Sequence, residues 1–373
     1  MDFIYRIKRK IFLRSFFFFS VLLSLSSYSF GQSEFKNADN NSKGIKDELF
    51  ANDSILEISI HGNLRSLLNE RSGSKKKFPV DLTYNSGDGI MSLSITASTR
   101  GHFRLQKENC YYPPLLLRFS KKTNDRKSLF INQKKLKLVM PCEDDDYLIG
   151  EWLAYKIYNL VTPLSFRARL VKVTLIESKN NKSAKPFYGI LIEEESQLAE
   201  RNNLNLSEAK LRPQQMDTEM FLKMAVFQYL IGNTDWSIEF LQNIKLLTTN
   251  PEARPIPVPY DFDHAGIVGA TYALPAEELR MASIKERRYR GYCVNDLKIF
   301  ESILDFYKGL KKEIYALYSS CDLLSEKYKK NTIKFLDDFF ERIDNDKAWQ
   351  KDFAYPCDKN GTGNVVIKGL KED

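Results

Sequence analysis

Histidine is scarce, with three in 373 residues (His61, His102 and His264), and the five cysteines contain no C-x-x-C. A zinc centre built from Cys and His therefore lacks ligands at workable spacing. The chain has no G-x-S-x-G, H-E-x-x-H, G-x-x-x-x-G-K-[ST] or G-x-G-x-x-G, and Gly361-Thr362-Gly363 lacks the Lys that a phosphate loop requires. Hydrolase, metalloprotease and P-loop classes thus miss their minimum parts. An excess of one charge is also modest. The net charge is +8, and residues 1–31 hold five basic side chains against one acidic, so the remainder carries an excess of only four. That gives no footprint for a nucleic-acid partner, which needs clustered cations. The composition that remains, 43% hydrophobic and 28% charged, excludes a disordered chain, a collagen and a disulfide-stapled miniprotein.

Long apolar runs are missing too. Ser15 to Leu25 is apolar, follows Arg6, Lys8, Arg9, Lys10 and Arg14, and precedes Ser29 and Gly31 at the −3 and −1 positions of a cut before Gln32. It is shorter than the roughly 20 residues that span a bilayer, so residues 1–31 read as a signal peptide. The expected mature chain is exported, periplasmic or extracellular, and has no transmembrane span. In an oxidising compartment cysteines pair, with Cys110–Cys142 the favoured pair and an odd one left over.

Residues 32–53 are polar and read as a tether. Residues 54–193 carry strand patterns at 55–60, 78–84, 92–99, 115–119, 135–140, 169–177 and 187–193, interrupted by one helix that Asp144-Asp145-Asp146 introduces. From residue 194 to 373 helical spacing dominates: Met220, Phe221, Met224 and Phe227 after Asp217, then Phe300 to Leu310, then Ile333 to Ile343. The fold class expected is α+β, a β-rich half with one internal helix followed by a mainly helical half.

Three spots combine acids or amides with turn formers: Gly232-Asn233-Thr234-Asp235, Gln242-Asn243 before an apolar run, and Tyr260-Asp261-Phe262-Asp263 after Pro251, Pro255, Pro257 and Pro259. Mg²⁺ takes hard oxygen ligands, and a separate carboxylate orients or deprotonates an attacking hydroxyl. Asp235 is the candidate catalytic acid–base group, with Asn243, Asp261 and Asp263 as metal ligands. For a phosphate cation and its acidic partner, Lys137 with Glu151 forms a candidate strand–helix ion pair; Arg118 competes, with Arg100 and Arg104 near it in sequence.

These residues, with Arg100-Gly101, Tyr188-Gly189, Glu193 and Glu194, resemble the spore-coat protein H (CotH) kinase-like family and, more distantly, the HipA-like kinases with their Gly-Asn-x-Asp loop. The likeness covers ordered pieces from Ser92 to Gly266. It implies an atypical two-lobe kinase-like fold that binds Mg²⁺ and ATP and phosphorylates a protein or envelope acceptor. Asp235 and Asn243 stand eight positions apart, against five in the H-R-D-x-x-x-x-N signature. The competing reading is a pseudokinase-like binding or scaffold module. Blander roles also exist for the parts: Asp235 as a helix cap, Trp236 and Tyr260 as core, and Arg287-Arg288-Tyr289-Arg290 as a solvated basic turn. An EF-hand fails, because Ala265 and Tyr272 stand where ligands are needed.

Overall fold

Alternation of apolar and polar residues sets the first half. In the computed structural model, which describes residues 48–120 and 127–359, strands β1 (Leu56–Gly62), β2 (Phe78–Asn85) and β3 (Ile90–Thr99) point Ile58, Ile60, Val80, Leu82, Leu93 and Ile95 to one side. Between the first two lies the short helix α1 (Leu64–Leu68). Strands β4 (Leu115–Arg118), β5 (Lys135–Val139), β6 (Ala168–Glu177), β7 (Lys182–Ser183) and β8 (Phe187–Ile192) complete the set, with helix α2 (Asp145–Val161) inserted before β6. The expected signal peptide and most of the tether lie outside the described residues.

The sheet closes on itself. Its order is β1-β2-β3-β4-β5-β8-β6, and β6 returns to pair with β1 in parallel from Leu56↔Val171 to Gly62↔Glu177, while the other pairs are antiparallel. Seven strands among the described residues thus form a barrel, and β7 extends the β6 edge. The expected β-rich half is present, and its sheet is a closed barrel. A ring leaves no sheet edge unpaired, which removes the liability of an exposed ladder.

Two cores follow. The barrel interior packs Ile60, Leu82, Leu115, Leu117, Leu136, Leu138 and Val173, all fully buried. The outer face of β5, β6 and β8 offers Val139, Leu170, Ile190 and Ile192 to a second core with Ile149, Leu153 and Ile157 of α2. A strand apolar on both faces reads as a continuous run, as Ile190-Leu191-Ile192 of β8 does. Asp144 caps α2 by accepting the Asp146 N–H at 2.9 Å.

The second half begins with α3 (Glu195–Arg201), capped by Glu194, and α4 (Thr218–Ile231), whose cap Asp217 accepts the Met220 N–H at 2.9 Å. Every residue of α4 from Met224 to Ile231 is buried, so it is the central helix of this half. A three-stranded sheet, β9 (Asn205–Ser207), β10 (Ile244–Thr248) and β11 (Ile256–Pro259), packs beside it. Helices α5 (Ile299–Gly309), α6 (Lys311–Ser319), α7 (Glu326–Ile343) and α8 (Asp346–Ala354) cover it with one apolar face each. Disulfides link Cys110 to Cys142, as expected, and Cys293 to Cys357, leaving Cys321 free. Among the described residues no helix is long and apolar enough to cross a membrane.

Candidate active site

A hairpin brings two of the sequence candidates together. Ile244 of β10 pairs with Pro259 of β11, and the Tyr260 N–H donates to the Asn243 carbonyl at 3.0 Å. Asn243 and Asp261 therefore leave the same end of the ladder. Both adopt the left-handed region, φ 52° and 64°, where a side chain other than glycine is uncommon and Asn and Asp are enriched.

Asp235 joins them through a different device. Helix α4 ends at Gly232, left-handed at φ 65°, and the Asn233 N–H returns to the Gln228 carbonyl at 2.8 Å. The Asn233 side chain spans Gln228 Oε1 (3.0 Å) and the Asp235 N–H (3.0 Å). A β-bridge between Ser237 and Gln242 then closes a small loop, so that Asn243 Nδ2 donates to Asp235 Oδ2 at 3.0 Å and to its carbonyl at 2.8 Å. Gln242 Nε2 donates to Asp235 Oδ1. The eight-residue spacing is thereby absorbed: the intervening residues loop out and acid meets amide regardless. Burial pushes the Asp235 carboxyl above the ordinary aspartate value, with Asp263 and Asp261 adding to the rise and His264 and Arg290 opposing it.

The barrel supplies cations. Lys137, on the outer face of β5, places Nζ 3.1 Å from Asp261 Oδ1. Burial would raise the Asp261 pKa, but Lys137, Arg104 and Arg100 outweigh it and hold it down to about 2. Burial pulls Lys137 below the usual lysine range despite Asp261. A third of the Asp261 side chain remains exposed, so one carboxylate edge stays open.

Arg104, in the loop after β3, is the other anchor. Its Nε reaches Asp263 Oδ2 at 2.9 Å, and Nη2 reaches Glu151 Oε2 at 2.8 Å and the Tyr272 hydroxyl at 3.1 Å. Glu151 is fully buried, and its Oε1 takes no hydrogen bond among the described residues. Burial raises its pKa to about 7, with Arg104 opposing. One turn along α2, the Tyr155 hydroxyl accepts the Asp261 N–H at 2.9 Å. The i, i+4 spacing of Glu151 and Tyr155 puts both on one helical face toward the acidic loop.

This geometry corrects the expected Lys137–Glu151 ion pair: Lys137 pairs with Asp261 and Glu151 with Arg104, because the guanidinium forks between two acids where an ammonium is a point charge. Asp263 is buried and engaged by Arg104, with the Tyr272 hydroxyl donating to it at 3.4 Å, which makes it an anchor of the loop. Arg118 lies on the same outer barrel face as Lys137, since Leu116, two residues before it, pairs with Lys137; it donates to Ser98 Oγ at 2.8 Å. The basic run is not a solvated turn: its three arginines are half-buried and Tyr289 is buried. Arg287 meets Asp338 at 2.5 Å, Arg288 meets Glu286 at 3.0 Å, and Arg290 donates to the carbonyls of Thr234 and Trp236, bracing the Asp235 loop. Trp236 is core, and Tyr260 is half-buried beneath Lys137.

For Mg²⁺ the chemistry of the donors fits. Asp261 offers an open carboxylate oxygen, and Asn243, whose Nδ2 is spent on Asp235, keeps an amide oxygen with no hydrogen bond among the described residues. One carboxylate and one amide suit a cation that keeps waters and phosphate oxygens for its other positions. Among the described residues no group of three or more His, Cys, Asp or Glu stands ready to hold a metal unaided.

No protein-family model matches the chain, and no curated protein matches it in sequence. Among solved structures it is similar to the proinflammatory kinase CtkA of Helicobacter pylori, at 15% identity and a TM-score of 0.35, over 62% of this chain and 89% of that one. A TM-score of that size assigns neither fold nor family.

Proposed function

We propose that the chain is a kinase-like phosphotransferase, moving the terminal phosphoryl group of a magnesium-bound nucleoside triphosphate to a hydroxyl of a protein or envelope acceptor. What carries this reading is one arrangement: Asp235 held by the Asn243 amide, with Asp261 at the neighbouring end of the same hairpin and Lys137 across from it. Asp235, its proton affinity raised by burial, accepts the proton of the acceptor hydroxyl. Gln242 and Asn243 fix the orientation of its carboxylate. The freed oxygen bonds to phosphorus as the bond to the nucleoside diphosphate oxygen breaks. Lys137, with Arg100 acting on the same Asp261 carboxylate and Arg118 on the same outer barrel face, faces the phosphate charge. A Mg²⁺ on Asn243 and Asp261 supplies electrostatic stabilisation of that charge when bound. The basic, apolar, small-residue order of residues 1–31 and the two disulfides support placing the activity outside the cytoplasm.

A ligand bound only by the folded state stabilises it, by about 2.7 kcal/mol at a hundredfold excess over Kd. The melting temperature of the full chain should rise with ATP plus Mg²⁺ and not with ATP alone. Asp261→Ala should abolish that rise against its own ligand-free baseline, and Asp235→Asn should keep it while losing transfer. Absence of a metal-dependent rise in the unmodified protein would replace this reading with the binding-module one.

A further inference from the structure

A groove of about 960 Å³ shares no lining residue with the acidic site. It is walled by α1, by the segment ending at Tyr112, and by the β6–β7 hairpin. Arg71 clamps two of these walls together, donating to the carbonyls of Leu68 (2.7 Å), Leu105 (2.9 Å) and Tyr111 (2.7 Å). Glu177 is the one carboxylate in the lining, and the N–H groups of Arg65 (2.8 Å) and Lys179 (3.2 Å) already occupy it. Lys107, Lys179 and Lys182 also line the groove, are exposed, and form no ion pair among the described residues.

The rest of the lining is informative. Of its aliphatic members, Leu64 and Leu175 are buried at 4% and 3% exposure and back the groove, while Leu68 and Ala184 are half-buried and add a small apolar strip to its wall. Beside the lysines, the exposed lining includes the amides and hydroxyl of Asn69, Asn180 and Ser178, together with Tyr111. The Tyr111 ring is 70% exposed yet held edge-on to Tyr112 at 4.7 Å, which itself stacks on Phe187 at 4.8 Å.

We propose that this groove binds an acidic oligosaccharide. Sugar hydroxyls match the amides, carboxylates match the unpaired lysines, and the C–H face of a pyranose packs on a tyrosine ring that is already ordered. An acidic polypeptide would use the same lysines but has no flat C–H face to set on the exposed Tyr111 ring.

The test is calorimetric titration of the full chain with a defined-length oligogalacturonate, with neutral dextran and polyglutamate of equal charge as comparisons. Oligogalacturonate should bind and dextran should not. The exposed double variant K179E/K182E should weaken binding about tenfold or more through charge reversal, and Tyr111→Ala should weaken it several-fold while the melting temperature stays unchanged. No binding, binding indifferent to K179E/K182E, or polyglutamate binding as tightly as the sugar with no loss in Tyr111→Ala would overturn the proposal, the last by assigning an acidic polypeptide. Asp235→Asn should bind the sugar like the unmodified chain, so this result stands or falls apart from the phosphotransfer.

Discussion

Arg104 is the residue on which the site's geometry turns. It is buried, it neutralises two buried acids at once, and Glu151 and Asp263 outweigh the burial that opposes its charge. Removing one partner of a buried ionic cluster leaves uncompensated charge, which costs about 3–5 kcal/mol. Arg104→Met should lower stability by that order in chemical denaturation; a loss below about 1 kcal/mol would show the cluster to be solvated. Glu151 gives a pH signature. Its folded pKa stands near 7, above the ordinary 4.5, so the folded state holds that proton more tightly than the unfolded one. The stability from this group is fully present below pH 4.5 and is lost as pH rises through 7. Relative to Glu151→Gln, the unmodified protein should therefore lose denaturation midpoint steadily across that window, and parallel curves would contradict the burial argument. Asp235, Asn243 and Asp261 could be picked out in the sequence because each sits among turn formers; that they stand together is what the structure adds. Arg104 could not: its partners lie 47 and 159 positions away, and no local pattern separates a buried loop cation from a solvated one.

At the scale of elements, the acidic loop is held by close backbone approach. The Gly266 N–H donates to the Gly232 carbonyl at 3.1 Å and the Ile267 N–H to that of Ile231 at 2.9 Å, stapling the loop after Asp263 to the end of α4. A Cβ at Gly266 would lie 2.4 Å from the Ile284 carbonyl oxygen, a backbone atom that cannot rotate aside. Gly266→Ala should cost about 1–3 kcal/mol as an overpacking change, read as a fall in thermal midpoint, and a neutral result would mean that this segment yields. Most elements were readable from periodicity and caps, including α2 behind Asp144 and α4 behind Asp217. The three-residue β9 was not, because Asn205-Leu206-Ser207 carries no alternation long enough to mark a strand. Nor could the Ser237–Gln242 bridge be read, since its loop includes Leu241 in a left-handed conformation that sequence preference disfavours.

Across the whole molecule, closure of the barrel explains why the site has a firm wall. Leu136 and Leu138 anchor β5 in the barrel interior, so the alternate residue Lys137 must project outward, beside α2 and toward Asp261. The pairing of β1 with β6, which closes the ring, joins segments more than a hundred residues apart in parallel, and such long-range partners leave no trace in local pattern. In the proposed mechanism Asn243 and Asp261, brought together by one hairpin, hold a single divalent cation with a nucleotide opposite Lys137. Electron paramagnetic resonance of Mn²⁺ titrated into the full chain with ATP measures this directly. One nucleotide-dependent Mn²⁺ site is expected, lost in both Asn243→Ala and Asp261→Ala and kept in Asp235→Asn; a site that survives both substitutions, or none in the unmodified chain, would rule this cation site out.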